Sequence, residues 1–221
     1  MDDTVIQLLV LAAIALFLII RLKNVLGTRT GFEKPPSVEG TPPRGPAVRR
    51  DFEVIEGGPD RDITDHVDDG SPAAKALAAM KLAEPGFSVT EFVGGARGAY
   101  EMILMAFENG DLAPVQPFLD EDVYEAFLSV VSDREDQGLK VDASFIGVRE
   151  TTLVDAEFDR ATDTAQITLR FVGELTSVVR DAEGEIVEGD PNEIRKQRDV
   201  WTFARVMGAD DPNWKLVATG E

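Results

Sequence analysis

Between Ala165 and Val179 the apolar residues Ile167, Leu169, Phe171, Leu175 and Val179 alternate with Gln166, Thr168, Arg170, Glu174 and Thr176, the period of two expected of a half-buried strand. Asp181 to Gly184 supplies a turn, a short run Glu185-Ile186-Val187 follows, and Gly189-Asp190-Pro191-Asn192 breaks it. The chain then runs through Asp199 to Val206, rich in β-branched and aromatic residues, turns at Asp210 to Asn213, and closes on Trp214 to Thr219. This is the pattern of a β-meander. Upstream, Phe145, Ile146, Val148, Val154, Ala156 and Phe158 mark a further strand from Val141 onward, with Asp159 to Asp163 as the hairpin into the meander.

The segments before these strands carry helical periods with recognisable ends. Ser71-Pro72 opens a helix over Ala73 to Ala83, in which Leu77, Met80 and Leu82 give a weak apolar face, and Pro85-Gly86 stops it. Ser88 and Glu91 form a capping box, and Phe87 and Phe92 a hydrophobic staple, at the head of a longer helix. Phe92, Ala96, Ala99, Ile103 and Ala106 make its core-facing stripe. Gly94 and Gly98, four residues apart, predict close approach of another backbone. Asn109-Gly110 ends the helix, Asp111 caps a short one to Phe118, and Asp120 caps another in which Tyr124, Phe127, Leu128 and Val131 keep helical spacing up to Gly138. Helices followed by four or so antiparallel strands give an α+β class, with the helices packed on one face of a curved sheet.

The N-terminal pattern is different. Leu8 to Ile20 is an unbroken apolar run, and with Thr4 to Gln7 it makes 17 residues, about 25 Å of helix at about 1.5 Å per residue, the short end of a membrane span. Val5, Leu8, Leu11, Ile14, Phe17 and Ile20 are its expected lipid anchors. Asp2 and Asp3 precede the run and Arg21, Lys23 and Arg29 follow it, so the positive-inside rule puts the N-terminus outside and the rest in the cytoplasm. A cleaved signal peptide would carry a basic leading region and a small-residue cleavage site instead. Residues 23–70, rich in proline and glycine, read as a flexible linker that reaches about 40 Å. The expected organisation is an anchor over 1–22, a linker over 23–70 and an α+β domain over 71–221.

Composition narrows the chemistry. With no cysteine and a single histidine, His66, thiol catalysis, thiolate metal sites and histidine-based chemistry are disfavoured, and no metal or cofactor is expected. The net charge of −19 argues against nucleic acid as a partner. Residues 21–50 carry seven Arg and Lys against two Glu, and residues 51–70 eight acids against one Arg, so a basic collar sits beside the apolar run and the acid lies beyond it. Tyr100, Phe171, Trp201 and Phe203 read first as core and second as the walls of a cavity.

Four motifs together resemble the Tim44-like family: Gly95-Ala96-Arg97-Gly98-Ala99-Tyr100-Glu101, Val123-Tyr124-Glu125-Ala126-Phe127, Asp199-Val200-Trp201-Thr202-Phe203-Ala204-Arg205 and Asp211-Pro212-Asn213-Trp214-Lys215-Leu216. The bacterial membrane-anchored branch, related to the C-terminal domain of the mitochondrial import-motor adaptor, is the nearer likeness. The resemblance implies a cone-shaped fold similar to nuclear transport factor two and a non-catalytic adaptor at the cytoplasmic face of an inner membrane. It implies a protein partner of unknown identity and a link to protein translocation. Mitochondrial members hold a heat-shock chaperone through a long basic helical segment, whose place is taken here by the apolar run and acid-rich linker, so a chaperone partner stays open. The alternatives are a small-molecule or fatty-acyl binding module, or an isomerase or dehydratase, working in the cone.

Overall fold

The computed structural model describes residues 59–220. The expected span with its anchors Val5, Leu8, Leu11, Ile14, Phe17 and Ile20, and the linker as far as Gly58, lie outside the described residues. Among the described residues four α-helices precede the strands: α1 (Arg61–Thr64), α2 (Pro72–Ala83), α3 (Val89–Asn109) and, after a 3-10 turn over Ala113–Phe118, α4 (Glu121–Asp136). Five strands follow: β1 (Lys140–Asp159), β2 (Thr164–Arg180), β3 (Ile186–Gly189), β4 (Arg195–Val206) and β5 (Lys215–Gly220). They form one antiparallel sheet in the order β1-β2-β4-β5, with β3 paired to the end of β2. The class is α+β, with helices against a curved antiparallel sheet.

Curvature has a local cause. β1 has 20 residues and β2 has 17, and the excess of three is taken up by three β-bulges, at Ile146, Arg149 and Val154. Each bulge leaves a residue outside the ladder, bends the strand and increases its twist. Ile146 and Val154 are each 52% exposed as a result. Arg149 reaches across to Glu174, Nε to Oε2 at 2.7 Å, and covers the one buried charged residue among those described. The bulges also interrupt an edge strand that would otherwise offer a long flat template to other chains.

The inner face of the sheet is built from alternate residues: Ile167, Leu169 and Phe171 on β2, Trp201 and Phe203 on β4, all buried. Against them lie Phe92, Ala96, Tyr100 and Ile103 of α3 and Leu77 and Met80 of α2. Leu77 and Met80 are fully buried, each worth about 1.5–3 kcal/mol, which settles α2 as a packed helix; Leu82, two residues past Met80 and on another face, stands 82% exposed. The Phe87–Phe92 staple closes at 6.3 Å between ring centroids, and Trp214 stacks beside both, 4.5 Å from Phe92.

Three expectations need correction. The domain begins earlier than Ser71: α1 buries Ile63 and packs Val67 against the core, because Asp62 is bound into the head of α3. Its carboxylate accepts from the backbone N–H of Val89 and Thr90, both at 2.8 Å, and from Ser88 Oγ at 3.0 Å. Ser88 Oγ in turn accepts from Glu91 N–H at 3.3 Å, so three of the N–H groups that the helix leaves unpaired in its first turn are satisfied, those of Val89 and Thr90 by Asp62 from outside the helix. Second, Gly94 and Gly98 approach no other backbone; a Cβ at either would meet nothing within 4 Å. Third, Asp111 caps nothing: the short helix starts from Leu112 without a side-chain cap, its first turn set by Pro114.

Asp62 also carries a pH signature. Burial pushes its carboxyl up, but hydrogen bonds from Lys81, Thr90 and Val89 outweigh this and hold it well below the usual carboxylate range. A depressed native value means stability that is present above the unfolded pKa and lost as pH falls through the native one. Asp62→Ala should cost about 1–2 kcal/mol near neutrality, as loss of a helix cap does. Urea melts should show the gap to the parent closing from about pH 4 downward, where an unfolded Asp begins to protonate.

Candidate functional site

The four residues read first as core and second as cavity walls are brought together and buried. Tyr100 from α3, Phe171 from β2, and Trp201 and Phe203 from β4 are 0%, 0%, 3% and 2% exposed. The Tyr100 ring stacks on Phe171 at 4.5 Å and 14°, tilts against Trp201 at 4.8 Å, and meets the edge of Phe145 at 6.1 Å. These side chains pack directly on one another. Space for the tyrosine comes from Gly173 on β2, where a Cβ would lie 2.8 Å from the phenol oxygen.

The Tyr100 hydroxyl donates to Asp199 Oδ2 at 2.6 Å, and Gln197 Nε2 donates to Asp199 Oδ1 at 3.1 Å. Burial first, then the Asp199 hydrogen bond and charge, push the phenol far above its ordinary range. A buried hydroxyl and a part-buried carboxylate thus satisfy each other across the helix–sheet interface, which is what a low-dielectric interior requires of polar groups.

Openings lie elsewhere. The C-terminal ends of α3 and α4 meet the start of β1 in a cleft of about 390 Å³, lined by Glu108, Val131, Arg134, Glu135, Leu139 and Val141 among others. Both helices stop on glycines with positive φ, Gly110 at 75° and Gly138 at 70°, the left-handed ending that only glycine adopts without strain. The cleft continues over β2, β3 and β4 as a smaller hollow of about 260 Å³ that shares Glu108, Arg134, Leu139 and Val141 and adds Ser177, Val179, Glu188 and Arg195. Arg134 is fixed at the junction, its guanidinium 4.5 Å from the Phe107 ring centroid and donating to Phe107 O at 3.4 Å. A second groove, about 530 Å³, runs between Thr64–Ala73 and the Val154 bulge of β1; His66 lies on it, its Nε2 3.2 Å from Thr90 Oγ1.

The sequence profile of the Tim44-like domain matches residues 73–221. The chain belongs to this family. No match is found among curated proteins. Among solved structures, the intermembrane space region of chloroplast protein ARC6 is similar over 59% of this chain and 92% of its own, at 12% identity and a TM-score of 0.37, too slight a likeness to carry an argument.

In this Tim44-like domain the four motifs are joints of the fold. The first sends Ala96 and Tyr100 inward, while Arg97 donates to Val148 O of β1 at 3.1 Å. The second buries Val123 and sets Phe127 on Phe107 at 4.8 Å. In the third, Arg205, its side chain only 9% exposed, pairs with Glu84 at 2.6 Å; Glu84 is the C-cap of α2 and also accepts from Gly208 N–H at 2.8 Å. The fourth makes an Asp211 turn, its Oδ1 accepting from Asn213 N–H at 3.0 Å, and delivers Trp214 to Phe92 and to the Arg205 guanidinium. The sequence reading missed Asp62, Gly173 and the Glu108–Arg134 cleft. The one available signal was two isolated glycines, Gly110 and Gly138, marking two helix ends whose meeting only the fold determines.

Two measurements check the sealed core. In Tyr124→Phe, where Tyr100 is the only tyrosine left, phenolate absorbance should not develop on alkaline titration until the fold itself is lost. Gly173→Ala should lower stability by about 1–3 kcal/mol through overpacking against Tyr100, read as a lower urea midpoint, and Tyr100→Phe in the same background should recover part of it.

Proposed function

We propose that this chain is a membrane-tethered, non-catalytic adaptor that binds another protein at the cytoplasmic face of an inner membrane, in a role linked to protein translocation. Membership of the Tim44-like family supports the adaptor class. The observation that carries the reading furthest is the filled interior: in the cone-shaped, nuclear-transport-factor-two-like arrangement proposed here, the space a substrate would occupy holds Tyr100, Phe171, Trp201 and Phe203. The recesses that stay open lie between helix ends and along the sheet margin, where another protein's side chains can be received.

Among the described residues no helix is long and apolar enough to cross a membrane. The tether in this reading is the run Leu8 to Ile20, supported by its length and by the basic residues after it. Residues 23–58 then act as the lead that lets the domain meet partners away from the bilayer.

Proximity crosslinking in intact membranes tests both halves of the proposal. The full chain should recover a defined protein partner, and the chain lacking Met1 to Ile20 should lose most of it. Recovery of no partner by either form would overturn the adaptor reading. Equal recovery by both would remove the tether from it.

A further inference from the structure

α4 is held to the domain by little of its surface. Only Val123 and Val131 are buried on it, Tyr124 and Phe127 are half-buried, and Leu128 and Val130 stand 46% and 42% exposed. Tyr124, Leu128, Val131 and Glu135 fall at i, i+4, i+7 and i+11, which aligns them along one flank of the helix. Val131 and Glu135 also line the cleft at the helix end. An apolar stripe therefore runs from Tyr124 over Leu128 and descends at Val131 into a recess floored by Leu139 and Val141. Nearly half of Leu128 is left uncovered by the described domain.

Charge along α4 is one-sided, while Lys140 lines the cleft at its end and Arg195 the hollow beside it. From Asp120 to Asp136 there are seven carboxylates, and Arg134 is their only cation, already engaged with Phe107. Glu121 and Glu125 flank Tyr124 and Leu128, and Glu135 stands at the mouth of the cleft. Among the described residues none of Glu108, Glu121, Glu125 or Glu135 forms an ion pair. The C-terminal ends of α3 and α4 converge on the same recess, and their exposed carbonyls add negative potential there.

We propose that the Tyr124–Leu128 flank of α4 and the adjoining cleft form the docking surface for a basic amphipathic segment of a partner protein. This deepens the adaptor reading and rests on it. The partner's apolar side chains cover Leu128 and enter the cleft over Val131, Leu139 and Val141, while its Lys or Arg residues lie against Glu121, Glu125 and Glu135. Apolar contact supplies the affinity, and the carboxylates select a cationic partner and speed its approach.

The probe is a fluorescein-labelled amphipathic helix of Leu and Lys, about five turns or ~18 residues long, carrying one photo-crosslinking residue on its apolar face, titrated by anisotropy into the full chain. Leu128→Ser, an exposed position, should weaken binding by roughly tenfold or more, as truncation of a central apolar anchor does. Glu121→Gln with Glu125→Gln should weaken it a few-fold and flatten its salt dependence. Val154→Ser, at the exposed bulge on β1, should leave it unchanged, and crosslinks should map to residues 121–141. The proposal is overturned if a Leu and Glu peptide binds as well, if Leu128→Ser binds like the parent, if crosslinks fall elsewhere, or if anionic vesicles bind this flank and exclude the peptide. A membrane partner that is captured in intact membranes and kept by Leu128→Ser would remove this surface while leaving the adaptor reading in place.

Discussion

The contact on which this domain depends is the stacking of Tyr100 on Phe171 over a glycine. Without the flat space at Gly173, the ring of a helix residue cannot lie 4.5 Å from, and nearly parallel to, a ring on the central strand. Once it does, the phenol reaches Asp199 on the next strand at 2.6 Å, so one side chain fixes α3 against both β2 and β4. The rest of the aromatic interior follows from that alignment: Trp201 tilts over the Tyr100 edge, Phe203 meets Phe92, and Phe92 passes the contact on to Trp214. Close-packed interiors transmit such constraints because there is no slack to absorb them.

A helix seated this deeply requires a sheet that bends around it, and the three bulges of β1 provide the bend. They are placed on the edge strand, where an unpaired residue interrupts one ladder rather than two. Two polar joints then close the assembly at its ends. Asp62 ties α1 to the head of α3, and Arg205 ties β4 to the C-cap of α2 through Glu84, whose own carboxyl is held low by that guanidinium and by Gly208 N–H. Both joints link segments far apart in sequence, so they act on the closed fold and offer little to any isolated element.

This division explains what could be read from the sequence. The meander, the α3 stripe, the Phe87–Phe92 staple and the caps at Ser71, Ser88 and Asp120 are local, set by period and by neighbouring residues, and were legible. Asp62 was not, because an aspartate in a stretch of Asp, Gly and Pro looks like linker until the helix it caps is folded beside it. Nor were the bulges, since an extra residue in a strand leaves the apolar pattern only slightly out of phase. Tyr100, Phe171, Trp201 and Phe203 were identified as neighbours, yet whether they enclose space or fill it turns on ring orientations that period cannot supply. Gly94 and Gly98 misled for a related reason: spacing places them on one face of α3 but does not say that the face looks outward.

Energetic weight is distributed unevenly across the fold, and that bears on function. α3 buries six of its residues and α2 five, whereas α4, with 16 residues, buries two. Segments with few buried contacts open at lower free energy than the core and can shift without unfolding the rest. α4 also carries most of its charge as carboxylates close enough to repel one another, a cost that an incoming cation relieves. A helix that is loosely seated, self-repelling and partly apolar on its outer flank gains more from a cationic amphipathic partner than any other element described here. The rigid aromatic interior has the complementary part: it keeps the ends of α3 and β1 in place, so the cleft beside α4 persists while the helix adjusts to what it binds.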